Sequence, residues 1–244
     1  MKKDLKSYER HNAHFNTSEN NDENTLAIIR RYDGMKQFER MGFALALSLS
    51  SRAPKTHIDI GSGNGWLLRK MSPYFETTIG VEPSSTAIAL CKRVHAQLQN
   101  MRLVNADMCD GIDQLQISEP VFLTTSVVLT HIEDYYIAAF LEKVNDLPVG
   151  SILCFAEPYD TNHQWGYWHV RSKDWWIKNL PNWQLQFLNL EIDGYAHTIY
   201  GVCVGKDEVR TQKLMSLPQK AIWNLSVVYH QAARVFRKLK TLVK

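Results

Sequence analysis

The stretch His57-Ile58-Asp59-Ile60-Gly61-Ser62-Gly63-Asn64-Gly65-Trp66-Leu67 decides how this chain folds. Thr56–Ile60 reads as a strand, and a helix is predicted near Asn64–Met71, with glycines at the turn between them. A glycine turn in that place lets a backbone approach a ligand closely, because no Cβ stands in the way. A dinucleotide fingerprint would read G-x-G-x-x-G. Here the third glycine comes one position early, and Trp66 stands where the late one belongs. Asp59, two positions before Gly61, would repel a pyrophosphate.

The same acid suits a cationic ligand, and the spacing therefore favours S-adenosylmethionine, whose amino-acid end carries an ammonium group, over a dinucleotide. Two further acids follow at the ends of the next strands. Glu82 closes Ile79-Gly80-Val81-Glu82-Pro83, where a carboxylate can bind both hydroxyls of a ribose. Asp107 closes Val104-Asn105-Ala106-Asp107-Met108, where it can accept from an adenine amino group while Met108 packs on the ring. Each acid alone could be a solvated loop carboxylate. Three in order, at the carboxyl ends of successive strands, point to one site.

Outward from this stretch the chain alternates in the manner of a parallel sheet. Strands are predicted at Thr77–Glu82, Met101–Asn105, Val121–Ser126 and Ser151–Glu157, with helices at Ser84–His95 and Glu133–Asn145. After an aromatic-rich segment come two strands close together, Gln184–Leu190 and Tyr195–Val204, the second after an Asp193-Gly194 turn. This plan predicts a seven-stranded α/β sheet, mostly parallel with an antiparallel last strand. Residues 1–52 read as a polar arm and a helical cap, 53–207 as the cofactor-binding domain with an insertion at 158–180, and 208–244 as an amphipathic helix.

The run from about Thr56 to Glu157 resembles the class I S-adenosylmethionine-dependent methyltransferases, a Rossmann-like superfamily. The pieces that carry the resemblance are Asp59-Ile-Gly-Ser-Gly-Asn-Gly65, Gly80-Val-Glu-Pro83, Asn105-Ala-Asp107, Ser126-Val-Val-Leu-Thr-His131-Ile-Glu-Asp134 and Leu147 to Glu157. The resemblance implies that Asp59, Gly61, Ser62, Gly63 and Gly65 surround the methionine end of the cofactor. It places Glu82 at the ribose, Asp107 and Met108 at the adenine, and Ser126 and Val127 along the cofactor from the fourth strand. S-adenosylhomocysteine would be the product.

The acceptor is read from other residues. Methyl transfer from a sulfonium needs alignment above all, and only a hydroxyl acceptor needs a base. His131, just past the fourth strand, is the first candidate base; it could equally order the helix that follows. Glu157 is the second; it could instead close the fifth strand and bond a loop amide. The Asn/Asp-Pro-Pro-aromatic motif of nucleic-acid amino methyltransferases is replaced by Ser126-Val127-Val128-Leu129, and Glu157-Pro158-Tyr159 follows the wrong strand. Glu133 and Asp134 are adjacent rather than spaced to converge on an ion, so no metal is expected. Trp165, Tyr167, His169 and Arg171 are the candidates for holding an acceptor, since aromatic faces suit sugar rings and an arginine suits carboxylate or phosphate. Of Trp175 and Trp176, one is expected to pack on the sheet in a short helix capped by Ser172.

Composition sets outer limits. The chain has 244 residues with 45% hydrophobic and 22% charged, ordinary for one globular domain. No apolar run approaches the roughly 18 residues of a membrane span, and the first residues lack the apolar core of a secretory signal. The four cysteines, Cys91, Cys109, Cys154 and Cys203, form no C-x-x-C pair and read as buried reduced thiols of a cytoplasmic protein. Net charge is +3, yet the last 36 residues hold eight basic and no acidic residues, so the body before them is acidic by about −5. That balance argues against a nucleic-acid substrate. Apolar residues from Ile222 to Val243 fall on one helical stripe among Lys and Arg. Residues 218–244 could pack on the body, lie on the inner face of an anionic membrane or bind a protein partner. The leading expectation is O-methylation of a saccharide or other small polar acceptor. N-methylation of a small amine and a non-catalytic binding module are the alternatives.

Overall fold

The computed structural model describes residues 54–160, 169–189 and 197–205. All of them lie in one of the chain's two compact units, Met1–Glu208. The predicted N-terminal cap, the C-terminal helix, Trp165 and Tyr167 lie outside the described residues.

Seven strands form one sheet: β1 (Thr56–Ile60), β2 (Thr77–Val81), β3 (Met101–Val104), β4 (Val121–Ser126), β5 (Ile152–Ala156), β6 (Trp183–Asn189) and β7 (His197–Cys203). Their order is β3-β2-β1-β4-β5-β7-β6. Pairings from β3 through β5 are parallel, and β7 is antiparallel to both its neighbours, as the two closely spaced final strands predicted. Ile152-Leu153-Cys154-Phe155-Ala156 is buried at every position, the mark of a strand covered on both faces.

The covering helices are α1 (Trp66–Met71), α2 (Ser85–Val94), α3 (Met108–Leu115), α4 (Asp134–Asn145) and α5 (Lys173–Asn179). Their starts are written in the sequence. Ser84 Oγ accepts from Ala87 N, Asp107 Oδ1 from Cys109 N and Asp110 N, and Ser172 Oγ from Trp175 N. On one face α3, α4 and α5 press Met108, Cys109, Ile112, Ile137, Phe140 and Trp176 onto Ile58, Ile60, Leu123 and Phe155. All four cysteines are buried and unpaired by disulfides.

Helix α3 is absent from the sequence reading. Gly111 at its centre reads as a helix breaker. A Cβ there would stand 2.3 Å from Val81 Cγ1, so the glycine allows α3 to lie close on β2. Of the adjacent tryptophans, Trp176 packs on the sheet near Phe155, with ring centroids 6.2 Å apart. Trp175 is half-buried against the edge of the same core and receives the Arg171 guanidinium at 5.0 Å.

The strand order reverses between β1 and β4, which lie side by side with β2 and β3 to one side and β5 to the other. In open α/β sheets the loops at this switch point hold the ligand, at the carboxyl ends of the strands. Gly61–Gly65, Glu82, Asp107 and Ser126–His131 all fall at those ends.

Candidate active site

The turn after β1 is held from beneath. Gly61 N and Ser62 N both donate to Val81 O, and Gly65 N donates to Ser62 O. Gly61, Gly63 and Gly65 have φ of 70°, 50° and 76°, in the left-handed region that favours glycine. At Gly65, which stands at the N-cap of α1, a Cβ would meet Cys91 Sγ at 2.3 Å and His95 Cδ2 at 3.0 Å. The third glycine is early because α1 begins directly against α2. His95, the residue after α2, donates from Nε2 to Asn64 O at 3.0 Å and fastens the turn from that side. Burial lowers its pKa, which keeps the ring neutral as a single donor.

The acids converge on this turn. Glu82 is fully buried; Oε2 accepts from Gly63 N at 3.0 Å and Oε1 from Ser84 N at 2.8 Å. Its two oxygens thus tie the glycine turn to the start of α2. Asp59 is buried and accepts from Thr124 Oγ1 at 2.8 Å. Burial pushes the Cys91 thiol up to about 12, and the charges of Asp59 and Glu82 add to that shift, so both acids lie within electrostatic reach of one point on α2. Ser62 Oγ is buried and lies where a Gly80 Cβ would meet it at 2.6 Å. Asp107 caps α3 through Oδ1 and takes a hydrogen bond from Tyr136, whose hydroxyl pKa is raised by burial and then by that bond. Met108 is part of the core under α3.

These residues fit S-adenosylmethionine. The turn, where Gly61 and Gly65 leave no room for a Cβ, is flanked by two buried carboxylates, acceptors suited to an ammonium group and to hydroxyls rather than to phosphate.

The loop after β4 is strained. Val127 has φ of 55°, a conformation that costs a β-branched residue about 1–3 kcal/mol. Two buried charges hold it. Glu157 accepts from Thr125 Oγ1 at 2.6 Å and from the amides of Val128, Leu129 and Thr130 at 2.9, 3.1 and 3.1 Å. Burial raises its pKa, and the four donors pull the other way. Arg171 gathers carbonyls of the same loop, Nη1 donating to Leu129 O at 2.9 Å and Nη2 to Ile132 O at 2.6 Å, while Nη1 also donates to His169 O at 3.0 Å beside it in sequence. Its Nε donates to Asp134 at 2.9 Å. Burial lowers the Arg171 pKa, while Asp134 and Glu157 oppose the shift.

Two of the candidates are engaged by the protein itself, Glu157 in the second of its two sequence readings. Glu157, a candidate base, is 1% exposed and its oxygens hold the β4 loop. Arg171, a candidate acceptor ligand, is 5% exposed and spends its fork on backbone carbonyls and Asp134. The carbonyls that Arg171 binds at Leu129 and Ile132 lie far along the chain, where spacing does not reveal them. His131 ends the 3₁₀ turn Leu129–His131 that these two charges fix. His169 N donates to Thr130 O at 2.8 Å, which brings the insertion to the residue beside His131. Ser126 and Val127 lie at the end of β4, next to the glycine turn: a Cβ on Gly61 would meet Val128 Cγ2 at 2.5 Å. Sequence reasoning missed His57, Thr124, His95 and Tyr136. Of these, only His57 left a trace, since it shares a strand face with Asp59.

A family model for the methyltransferase domain matches residues 35–191. No curated protein matches the chain. Solved structures do. A chain of the complex between the Haloferax volcanii Trm112 methyltransferase activator and a methyltransferase aligns with TM-score 0.56 at 15% identity, covering 75% of this chain and 97% of that one. CalS10, an amino pentose methyltransferase of calicheamicin biosynthesis from Micromonospora echinaspora, aligns with TM-score 0.56 at 12% identity, covering 71% and 95%. The N-methyltransferase NodS from Bradyrhizobium japonicum aligns with TM-score 0.54 at 15% identity, covering 70% and 97%. At these identities the likeness concerns the fold.

Proposed function

The chain belongs to the methyltransferase-domain family, and on that premise we propose that it methylates an oxygen of a saccharide or another small polar acceptor. The protein is an S-adenosylmethionine-dependent methyltransferase. When bound, that cofactor supplies a methyl group on a sulfonium centre, ready for in-line displacement with a leaving group that needs no proton. Asp59 would hold the ammonium of its amino-acid end and Glu82 the ribose hydroxyls. Asp107 would accept from the adenine amino group, using capacity beyond its cap and the Tyr136 bond. Ser126 and Val127 would line the site from β4.

His131 would take the proton of the acceptor hydroxyl as the oxygen attacks. Glu157 and Arg171 would act through the loop, fixing its amides and carbonyls so that the histidine keeps one position. The observation that carries this reading is the bond from His169 N to Thr130 O, because it joins the aromatic insertion to the residue beside the candidate base. His169, one of the candidate acceptor residues, would then act beside His131. Among the described residues no helix is long and apolar enough to cross a membrane. Contact with an anionic membrane face in the cytoplasm would fall to residues 218–244.

The test is transfer from S-adenosylmethionine carrying a deuterated methyl group to a panel of saccharides and small amines, with the labelled atom located by mass spectrometry. Label on saccharide oxygen, lost in His131→Ala while S-adenosylhomocysteine binding is spared, is the expected result. Label confined to amine nitrogen would overturn the O-methyl assignment, and full turnover in His131→Ala would remove the base.

A further inference from the structure

Below the glycine turn a chain of buried polar groups leads away from the site. His57 Nε2 lies 2.8 Å from Thr124 Oγ1, and Thr124 Oγ1 lies 2.8 Å from Asp59 Oδ1. His57 and Asp59 alternate on β1 and so share a face. Thr124 is the register partner of Asp59 across the β1–β4 pairing. All three side chains are buried.

The protons can be assigned from chemistry. Thr124 Oγ1 has two acceptors, Asp59 Oδ1 at 2.8 Å and Ile58 O at 3.4 Å, and its single proton goes to the nearer, charged one. The Thr124 oxygen then accepts, which puts a hydrogen on His57 Nε2. His57 Nδ1 is buried with no hydrogen-bond partner, beside Phe75 and Phe122 at ring-centroid distances of 5.4 and 5.6 Å. A second proton there would find no acceptor. Burial lowers the His57 pKa to about 3, in keeping with a ring that stays neutral.

We infer that His57 and Thr124 are positioning residues for Asp59: the neutral imidazole orients the threonine hydroxyl, and the hydroxyl fixes the carboxylate plane that receives the ammonium of the cofactor. The inference rests on the reading of Asp59 as the partner of that ammonium. Without Thr124, the Asp59 carboxylate loses a 2.8 Å bond that helps to set its plane. A neutral donor also leaves the negative charge of Asp59 intact, where an imidazolium would offset it.

The test compares two ligands on the full chain by calorimetry. S-adenosylhomocysteine carries the amino-acid end, and 5′-methylthioadenosine lacks it. Thr124→Val and His57→Leu should each weaken S-adenosylhomocysteine about tenfold and leave 5′-methylthioadenosine within twofold. Thr124→Ser and His57→Gln, which keep a hydroxyl and an N–H donor in place, should bind both ligands as the unaltered chain does. Should Thr124→Val fail to fold, the contrast between His57→Leu and His57→Gln reads the same point. An equal loss of both ligands in a folded variant would reduce the chain of bonds to general scaffolding and overturn the inference. So would unchanged S-adenosylhomocysteine affinity in Thr124→Val when Asp59→Asn weakens it. If Asp59→Asn itself leaves S-adenosylhomocysteine affinity unchanged, the reading of Asp59 fails instead.

Discussion

Glu157 shows how much one side chain can carry. Its carboxylate is the common acceptor for three successive amides and a threonine hydroxyl, in a loop whose first residue, Val127, sits in a costly conformation. Glu157→Ala would leave those buried donors unsatisfied. We expect a loss of about 3–5 kcal/mol in stability, read from the urea midpoint, since orphaned buried groups forfeit their full solvation. A loss under about 1 kcal/mol would mean that water replaces the carboxylate. The sequence offered Glu157 two roles, base or loop anchor, and the geometry around it is that of an anchor. Asp59 and Glu82 were legible because their place at strand ends has a chemical meaning. Arg171 was not, because the carbonyls of Leu129 and Ile132 stand about 40 positions earlier and nothing local announces them.

Among the elements, the glycine turn and the β4 loop decide the site. Gly65 combines a left-handed φ with close approach to Cys91, so Gly65→Ala meets both backbone strain and overpacking. We expect it to cost about 2–5 kcal/mol. Cys91→Ala in the same chain should return the overpacking part and leave the strain. Thermal melts of the two single variants and the double variant check this; strictly additive losses would contradict it. The β4 loop is clasped by Glu157 through its amides and by Arg171 through its carbonyls. Arg171→Lys should not restore what Arg171→Ala loses, because an ammonium cannot match a planar fork that spans several acceptors. Strands and most helices were legible from periodicity and caps. Helix α3 was hidden by Gly111, where close packing on Val81 outweighs helix propensity.

For the molecule as a whole, the buried histidines set a direction of pH dependence. His57 titrates near 6.5 in an unfolded chain and at about 3 when folded. Between those values the unfolded chain binds a proton that the folded chain refuses, so stability falls as pH drops from about 6.5 toward 3. The slope reaches about 1.4 kcal/mol per pH unit for this one group. His95, also lowered by burial, adds in the same direction. Urea midpoints at pH 7 and pH 5 measure it, and His57→Gln should flatten the difference; an equal difference in that variant would contradict the assignment. The seven-stranded, mostly parallel sheet with an antiparallel last strand followed from the alternation of elements and the two closely spaced last strands. The acceptor did not, because aromatic side chains and an arginine in a loop suit many ligands. If Asp59, Glu82 and the glycine turn form the methyl-donor site, a calorimetric titration with S-adenosylhomocysteine will show one binding site per chain, with affinity at least tenfold weaker in Asp59→Asn. Absence of binding to the unaltered chain, or equal affinity in the two proteins, would contradict it.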